Sequence, residues 1–144
     1  MKTWCVLLAV VYVPFFAVAA FAQSGTVTVA VKGVNGAGGL MSIGRYQNEK
    51  GWPDKGKEYK GEDVAVAGDT VSHSFVDVPP GTYAVAIFHD ANSNLKLDKN
   101  FFGVPKEGYG FSNNVFGPLG LPPGFEKASF QLQGDTKVTI QLAY

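Results

Sequence analysis

The chain has 144 residues, with 12 basic and 12 acidic side chains and a formal net charge of zero. Nucleic acids and anionic membrane surfaces attract proteins that carry an excess of basic residues, so this balance argues against both as partners. The single cysteine, Cys5, lies near the N-terminus, and the remainder of the chain has to fold without disulfide bonds.

The first 22 residues have the features of a signal peptide. Lys2 is followed by an almost unbroken apolar run, and residues 20–22 (Ala-Phe-Ala) fit the small-x-small pattern of a cleavage site. We therefore predict an exported protein, periplasmic or secreted, whose mature domain is formed by residues 23–144. The alternative is an uncleaved membrane anchor, but the run is short for a spanning helix and contains Pro14. We predict no membrane span in the mature chain.

The mature domain begins with β-type sequence. A first strand at residues 26–31 alternates strictly and places three valines on one face. A glycine-rich turn at residues 35–39 separates it from a second strand at residues 40–46, in which Leu40 and Ile43 are the expected core residues.

The middle of the chain continues this pattern. A charged stretch at residues 47–61 is predicted to be an exposed connection, followed by a short edge strand at 64–67 and a strand at 70–78. After a tight Pro-Pro-Gly reversal, the strand at residues 82–89 is apolar on both faces, which is typical of a strand covered on both sides. One face should meet the opposite sheet, and the aromatic segment after Asn100 is the expected cover of the other.

The C-terminal part predicts two further strands, at residues 128–132 and 138–142. Both alternate apolar with polar residues, and the short connection between them favours a hairpin. About seven strands without a convincing helix predict an all-β fold, a two-layer sandwich of immunoglobulin-like or transthyretin-like topology.

Oxygen-bearing side chains occupy alternate positions of the loop that follows the strand at residues 82–89. Calcium prefers carboxylate, amide and backbone carbonyl oxygens. The predicted calcium ligands are the side chains of Asp90, Asn92, Asn94 and Asp98 and the backbone carbonyl of Lys96. With calcium as the cofactor, Asp90→Ala should lower stability only when the ion is present.

Two positions of this loop depart from the helix-loop-helix calcium pattern. Leu95 replaces the glycine at the sixth position, and Phe101 replaces the glutamate at the twelfth. With only two charged ligands we expect weak binding, with a dissociation constant of about 0.1 to 1 mM. The alternative is a loop without an ion, because Asp and Asn side chains also bind nearby backbone N–H groups in turns.

An aromatic, glycine-rich segment follows the loop. Its rings are those of Phe101, Phe102, Tyr109, Phe111 and Phe116. The rings either pack over the strand at residues 82–89 or form a recognition surface, and the two arrangements can coexist. The ligand-binding residues that we predict are Glu107, Tyr109, Phe111, Asn113 and Asn114.

No catalytic arrangement is recognisable, because the chain lacks GxSxG, HExxH and phosphate-loop motifs. His73 is expected in the core, and His89 and Asp90 are strand neighbours, which point to opposite faces. We predict a non-enzymatic binding or structural module whose partner is an unknown protein or saccharide of the cell envelope. The alternatives are a cell-envelope hydrolase that uses Asp90 and Glu107 as its acid pair, and a carbohydrate-binding module that uses the aromatic segment.

The run PPGTYAVAIFHDANSNLKLDKNFFGVPKEGYGFSNN, at residues 79–114, resembles the core signature of the bacterial domain-of-unknown-function family 2141. The resemblance covers essentially all of residues 23–144. It implies an exported, single-domain β-sandwich and brings neither an activity nor a substrate.

A second resemblance concerns the loop itself. The run FHDANSNLKLD is similar to the DxNxDGxxD calcium loops of the prealbumin-like B repeats in bacterial surface adhesins, with matching positions at Asp90, Asn92, Asn94 and Asp98. This resemblance implies calcium binding. The preceding VPPGTY run resembles the strand-turn-strand of transthyretin-like and carboxypeptidase-regulatory-like domains, which also implies a sandwich.

Overall fold

The computed structural model describes residues 23–144, and the predicted signal peptide lies outside the described residues. The strands are β1 (Gly25–Lys32), β2 (Leu40–Tyr46), β3 (Lys60–Ala65), β4 (Thr70–Val78), β5 (Gly81–Asp90), β6 (Tyr109–Phe111), β7 (Phe130–Leu132) and β8 (Thr136–Gln141). A one-turn helix, α1 (Phe125–Ala128), and two 3-10 turns, Ser112–Asn114 and Pro118–Gly120, complete the described elements.

The strands form two sheets. The first has the order β4-β1-β8, and β8 runs parallel to β1. The second has the order β3-β2-β5-β6, and β7 pairs with the beginning of β5. The all-β sandwich predicted from the sequence is confirmed. Residues 23–144 contain eight strands rather than about seven, because β6 forms inside the aromatic segment that the sequence assigned to a loop.

The core lies between the two sheets and is built from their alternating apolar residues. The three valines of β1 are fully buried, as predicted, and they meet Val85 and Ile87 of β5 across the interface. On β2 the core residues are Met41 and Ile43, whereas Leu40 is half-buried. Leu40 was a wrong choice because residues three apart on a strand point to opposite faces.

Three predicted elements at the edges of the sandwich are corrected. The edge strand predicted at residues 64–67 starts earlier, as β3. Ala128 belongs to α1, so only the end of the strand predicted at 128–132 is extended. The predicted hairpin is wrong, because β7 pairs with β5 while β8 pairs with β1 in the other sheet. Alternation identifies the face of a strand that is buried, but not the neighbour with which the strand pairs.

The outer face of β5 has a cover of its own, as the sequence predicted. Ala84 is fully buried beneath Phe111 and Ala128, and Trp52 and other aromatic side chains pack around them. Ser112 ties this layer to β5: its hydroxyl accepts a hydrogen bond from the Val85 N–H (2.9 Å) and donates one to the Ala128 carbonyl.

Candidate functional site

A groove of about 690 Å³ lies on the outer face of the second sheet. Its floor forms where β2, β5 and β6 lie in register. Phe88 pairs with Tyr109 in one row, and in the next row Ala86 lies between Gly44 and Phe111. Because Gly44 and Ala86 carry almost no side chain, the sheet is hollow between the larger residues around them. Two small residues opposite each other on neighbouring strands therefore create the groove.

Three segments contribute the walls of the groove, namely residues 53–58, parts of 95–105 and residues 120–122. Their apolar contributions include Leu95, Leu97, Pro105, Leu121 and Pro122. Lysines and acids contribute the polar parts of the walls, and most of the lining is apolar. An apolar pocket of this size with a few polar groups is typical of small-molecule binding sites.

Lys55 reaches from the wall across the groove to the sheet. Its Nζ donates to Ser42 Oγ (2.6 Å), forms an ion pair with Asp63, and lies 5.6 Å from the ring centroid of Phe88. Burial alone would raise the pKa of Asp63, but the hydrogen bonds from Lys55 and Ser42 outweigh burial and hold this pKa below its usual range. Lys55 therefore has a fixed position in the groove.

The same wall carries a hydrogen-bond acceptor without a partner. Glu58 Oε2 is buried and accepts no hydrogen bond from any group within residues 23–144. The neighbouring Tyr46 hydroxyl donates to the Asp54 carbonyl (2.9 Å). Burial is the main cause that raises the pKa of Tyr46, and the negative charges of Glu58 and Asp54 raise it further. The hydroxyl therefore stays protonated, and its proton is already donated to the Asp54 carbonyl. Glu58 is thus a group that a donor on a bound molecule would satisfy.

The oxygen-rich loop, residues 90–98, lies beside this groove and is closed by its own hydrogen bonds. Asp90 is completely buried, and its two carboxylate oxygens accept the backbone N–H groups of Asn94 (3.0 Å) and Leu95 (2.7 Å). The side-chain amides of Asn92 and Asn94 both donate to the carboxylate of Asp98 (2.7 and 3.0 Å). The acids and amides that the sequence predicted as ligands therefore bind one another and the backbone.

Glu107 closes the loop from outside. It is 8% exposed, and its oxygens accept the backbone N–H groups of Ala91 (3.0 Å) and Asp98 (2.9 Å), close to the two ends of the loop. Asp90 and Glu107 are thus brought to the same loop, as the acid-pair alternative required. All four of their oxygens accept backbone hydrogen bonds, which is the behaviour of structural rather than catalytic carboxylates.

Calcium does not fit the loop in this arrangement. N–H groups already point at both oxygens of Asp90, and the Asn94 side-chain oxygen accepts the N–H of Lys96 (2.9 Å). Within the described residues, no group of three or more His, Cys, Asp or Glu side chains is placed to hold a metal ion. Leu95, at the position of the usual glycine, has a φ of 63°, so the loop makes the sharp turn of a calcium loop. Calcium binding stays a prediction that would require these hydrogen bonds to rearrange.

The structure places the five predicted ligand-binding residues in different roles. Tyr109 and Phe111 line the groove, whereas Glu107 braces the loop. Asn113 donates to backbone carbonyls of the α1 region (2.9 and 3.1 Å), and Asn114 exchanges hydrogen bonds with the backbone of β8. Neither asparagine lines the groove.

The sequence did not identify the groove or its polar groups. Lys55 and Glu58 lie in the charged stretch that was predicted to be an exposed connection, and Gly44 and Ala86 appeared to be ordinary strand residues. A signal was present on β5, where Ala84, Ala86 and Phe88 form an apolar outer face with smaller residues at one end. Locating the hollow requires the register between β2 and β5, which one strand alone does not contain.

Comparison with known proteins gives one match. The model of a family described as an uncharacterized protein conserved in bacteria, DUF2141, matches residues 29–141. No curated protein and no solved structure matches the chain. Among residues 23–144, no helix has the length and apolar character needed to cross a membrane.

Proposed function

Because this chain belongs to the DUF2141 family, whose description assigns no activity, we propose its function from the groove: it is an exported, non-enzymatic binding module that takes a small apolar molecule. The observation that carries this proposal is the groove of about 690 Å³ with its aromatic and aliphatic lining. A cavity of this size accommodates one small molecule of ordinary drug or metabolite dimensions.

The elements around the groove support a binding function because they are held rigidly. Tyr109 donates its hydroxyl to the Gly120 carbonyl (2.6 Å), which fixes the floor to one wall. The Trp52 indole donates to the Pro123 carbonyl (2.8 Å), which joins the connection between β2 and β3 to the segment that precedes α1. The oxygen-rich loop supplies a third wall and is braced by Glu107. A preformed site loses less conformational entropy when it binds a ligand.

The acid pair considered from the sequence gives less support to an enzyme. A carboxylate-based hydrolase needs two carboxyl groups that face the substrate. Asp90 and Glu107 instead use all of their oxygens to accept backbone N–H groups, and neither lines the groove. We therefore favour binding without a chemical step.

Fluorescence of a neutral apolar probe tests this proposal. N-phenylnaphthylamine should gain fluorescence with the native protein, and dodecanol should displace it. Ala86→Leu should lower probe affinity at least tenfold, because the larger side chain occupies the floor of the groove. Linear oligosaccharides should not compete, and competition by them would favour the carbohydrate-binding alternative.

Ala30→Leu is the matched control for this substitution. Ala30 is a half-buried alanine on β1 and faces outward from the opposite sheet, so the same change there should leave probe binding intact. Thermal melts of both variants show whether they fold. Equal probe binding by native protein and a folded Ala86→Leu variant would contradict the proposal.

A further inference from the structure

The exposed apolar side chains of this protein are concentrated beside the groove. Nine large hydrophobic residues are exposed in residues 23–144, and six of them belong to two segments, 95–104 and 119–121, that contribute walls to the groove. Phe101 and Phe102 are the extreme case, with exposures of 97% and 85%. The sequence predicted that the aromatic segment covers β5, and these two rings do not take part in that cover.

Both rings are carried by an ordered turn. The Asn100 N–H donates to the Val104 carbonyl (2.8 Å), and the Asn100 side-chain oxygen accepts the N–H groups of Phe102 (2.9 Å) and Val104 (3.0 Å). The two rings contact each other edge to face, with centroids 5.5 Å apart. We call residues 99–105 the Phe tip. The turn fixes its backbone while its largest apolar groups face solvent.

Three lysines belong to the Phe tip or flank it. Lys96, Lys99 and Lys106 are exposed, and none forms an ion pair with any residue of the described chain. The acids nearest in sequence keep their charge but are held within the loop, where Asp98 accepts the side chains of two asparagines and Glu107 is buried. The exposed charged side chains beside the two protruding rings are therefore all basic, although acids and lysines balance in number.

We propose that this protein docks on an anionic lipid surface through the Phe tip, with the two rings in the interfacial region and the three lysines at the headgroups. Phe side chains insert at the boundary between headgroups and acyl chains, and basic residues near an anionic surface add electrostatic attraction. The proposal concerns peripheral attachment and does not depend on which molecule the groove takes.

A second copy of the chain is a poorer partner for this surface. Two phenylalanine side chains bury about 150–250 Å² each, whereas a stable protein–protein contact needs about 800 Å² from each partner. A convex tip of two rings can enter a lipid layer without a complementary pocket. The lysines likewise repel the lysines of an identical tip.

Vesicle sedimentation tests the proposal. The full chain is expressed in a bacterial host and purified in the form that the host produces. Mass spectrometry identifies its N-terminus. Vesicles of phosphatidylcholine alone are compared with vesicles that contain about 30% phosphatidylglycerol. We expect binding to the anionic vesicles, weakening as salt is added. The double variant Phe101→Ser/Phe102→Ser should reduce the partition coefficient at least tenfold and still bind N-phenylnaphthylamine.

Two control variants match these changes elsewhere on the surface. Val76→Ser removes an exposed apolar side chain of β4 (67% exposed) and should bind vesicles like the native protein. Replacing Lys96, Lys99 and Lys106 by Gln should abolish the preference for anionic lipid. The same replacement of the exposed lysines Lys60, Lys127 and Lys137 changes the net charge equally and should preserve that preference.

Three results would overturn the proposal. The first is the absence of native binding to either vesicle, and the second is equal binding by the double Phe variant. The third is self-association of the native protein in analytical ultracentrifugation that is lost in the double Phe variant. That result would make the tip a contact between copies.

The variant Phe102→Trp gives an independent readout. Its tryptophan emission should shift to the blue when anionic vesicles are added.

Discussion

At the scale of single residues, the loop at 90–98 is held by hydrogen bonds in which every carboxylate oxygen of Asp90 and Asp98 has an N–H partner. The residues that we named as ligands do converge in one loop, but Asp98 accepts side-chain amides and the other side-chain oxygens accept backbone N–H groups. Carboxylate and amide oxygens suit a calcium ion and a backbone amide equally well, and their alternate spacing is the same in both cases. Glu107, nine residues beyond the end of the loop, closes the loop, whereas we had predicted that this residue binds a ligand.

Asp90→Ala separates these two roles of the loop. From the hydrogen bonds we expect a loss of about 3 kcal/mol in the free energy of unfolding, because two backbone N–H groups lose a charged acceptor. The loss should be the same in calcium and in chelator, whereas the calcium hypothesis predicts a loss only with the ion. Urea titrations in both buffers measure the difference.

Asp69→Ala provides the control for Asp90→Ala. Asp69 is exposed, so its removal should change stability little in either buffer. A rise in the melting temperature of the native protein in several millimolar calcium, lost in Asp90→Ala, would instead establish an ion in this loop.

The ion pair of Lys55 and Asp63 predicts a dependence of stability on pH. The folded pKa of Asp63 is lowered, so its stabilising contribution is present above the unfolded pKa, about 3.9. That contribution disappears as pH falls through the folded pKa. Asp63→Asn should therefore remove a small part of the loss of stability that occurs as pH falls below the unfolded pKa. Denaturant titrations at several pH values measure it, and parallel pH profiles for native protein and variant would contradict the assignment.

At the scale of the elements, β5 and its cover were the most predictable part of the fold. Its apolar residues on both faces required two layers, and the structure supplies the opposite sheet and the aromatic cluster. The pairing of β7 and β8 was not predictable in the same way. Both strands have one apolar face, but each pairs with a strand distant in sequence, and a short connection suggested a local hairpin instead.

The free edge of β8 is held by a side chain in place of a strand. Asn114 Nδ2 donates to the Thr139 carbonyl (3.1 Å), and its oxygen accepts the N–H of Gln141 (2.8 Å). Asn114 has a φ of 52°, a conformation that Asn tolerates better than most residues. One residue of the segment that we assigned to ligand binding thus completes the hydrogen bonding of a sheet.

Replacing Asn114 should therefore weaken the attachment of β8. Asn114→Gly retains the backbone conformation but removes both hydrogen bonds, and we expect a loss of about 2 kcal/mol. Hydrogen exchange should increase at Gln141 before the rest of the sheet. Asn35→Gly, at an exposed turn position, should leave the exchange of Gln141 unchanged, and an equal effect of the two variants would contradict this role.

At the scale of the whole molecule, the sequence established the fold class and the absence of a large net charge. Net charge was a weak guide to surfaces, because it does not show which charges are exposed: near the Phe tip the lysines are exposed, whereas Glu107 is buried and Asp98 is hydrogen-bonded within the loop. The groove escaped prediction for a related reason, since it arises from residues of three strands and three connections that are adjacent only after folding.

The parallel pairing of β1 with β8 has a consequence for how the chain reaches this state. Val27 lies opposite Thr136 and Val31 opposite Ile140, so the central strand of the first sheet completes its pairing with a segment that is distant along the chain. The entropy of closing so long a loop has to be offset before this contact stabilises the fold. A fragment that lacks β8 should accordingly leave one edge of β1 unpaired and the core without Val138 and Ile140.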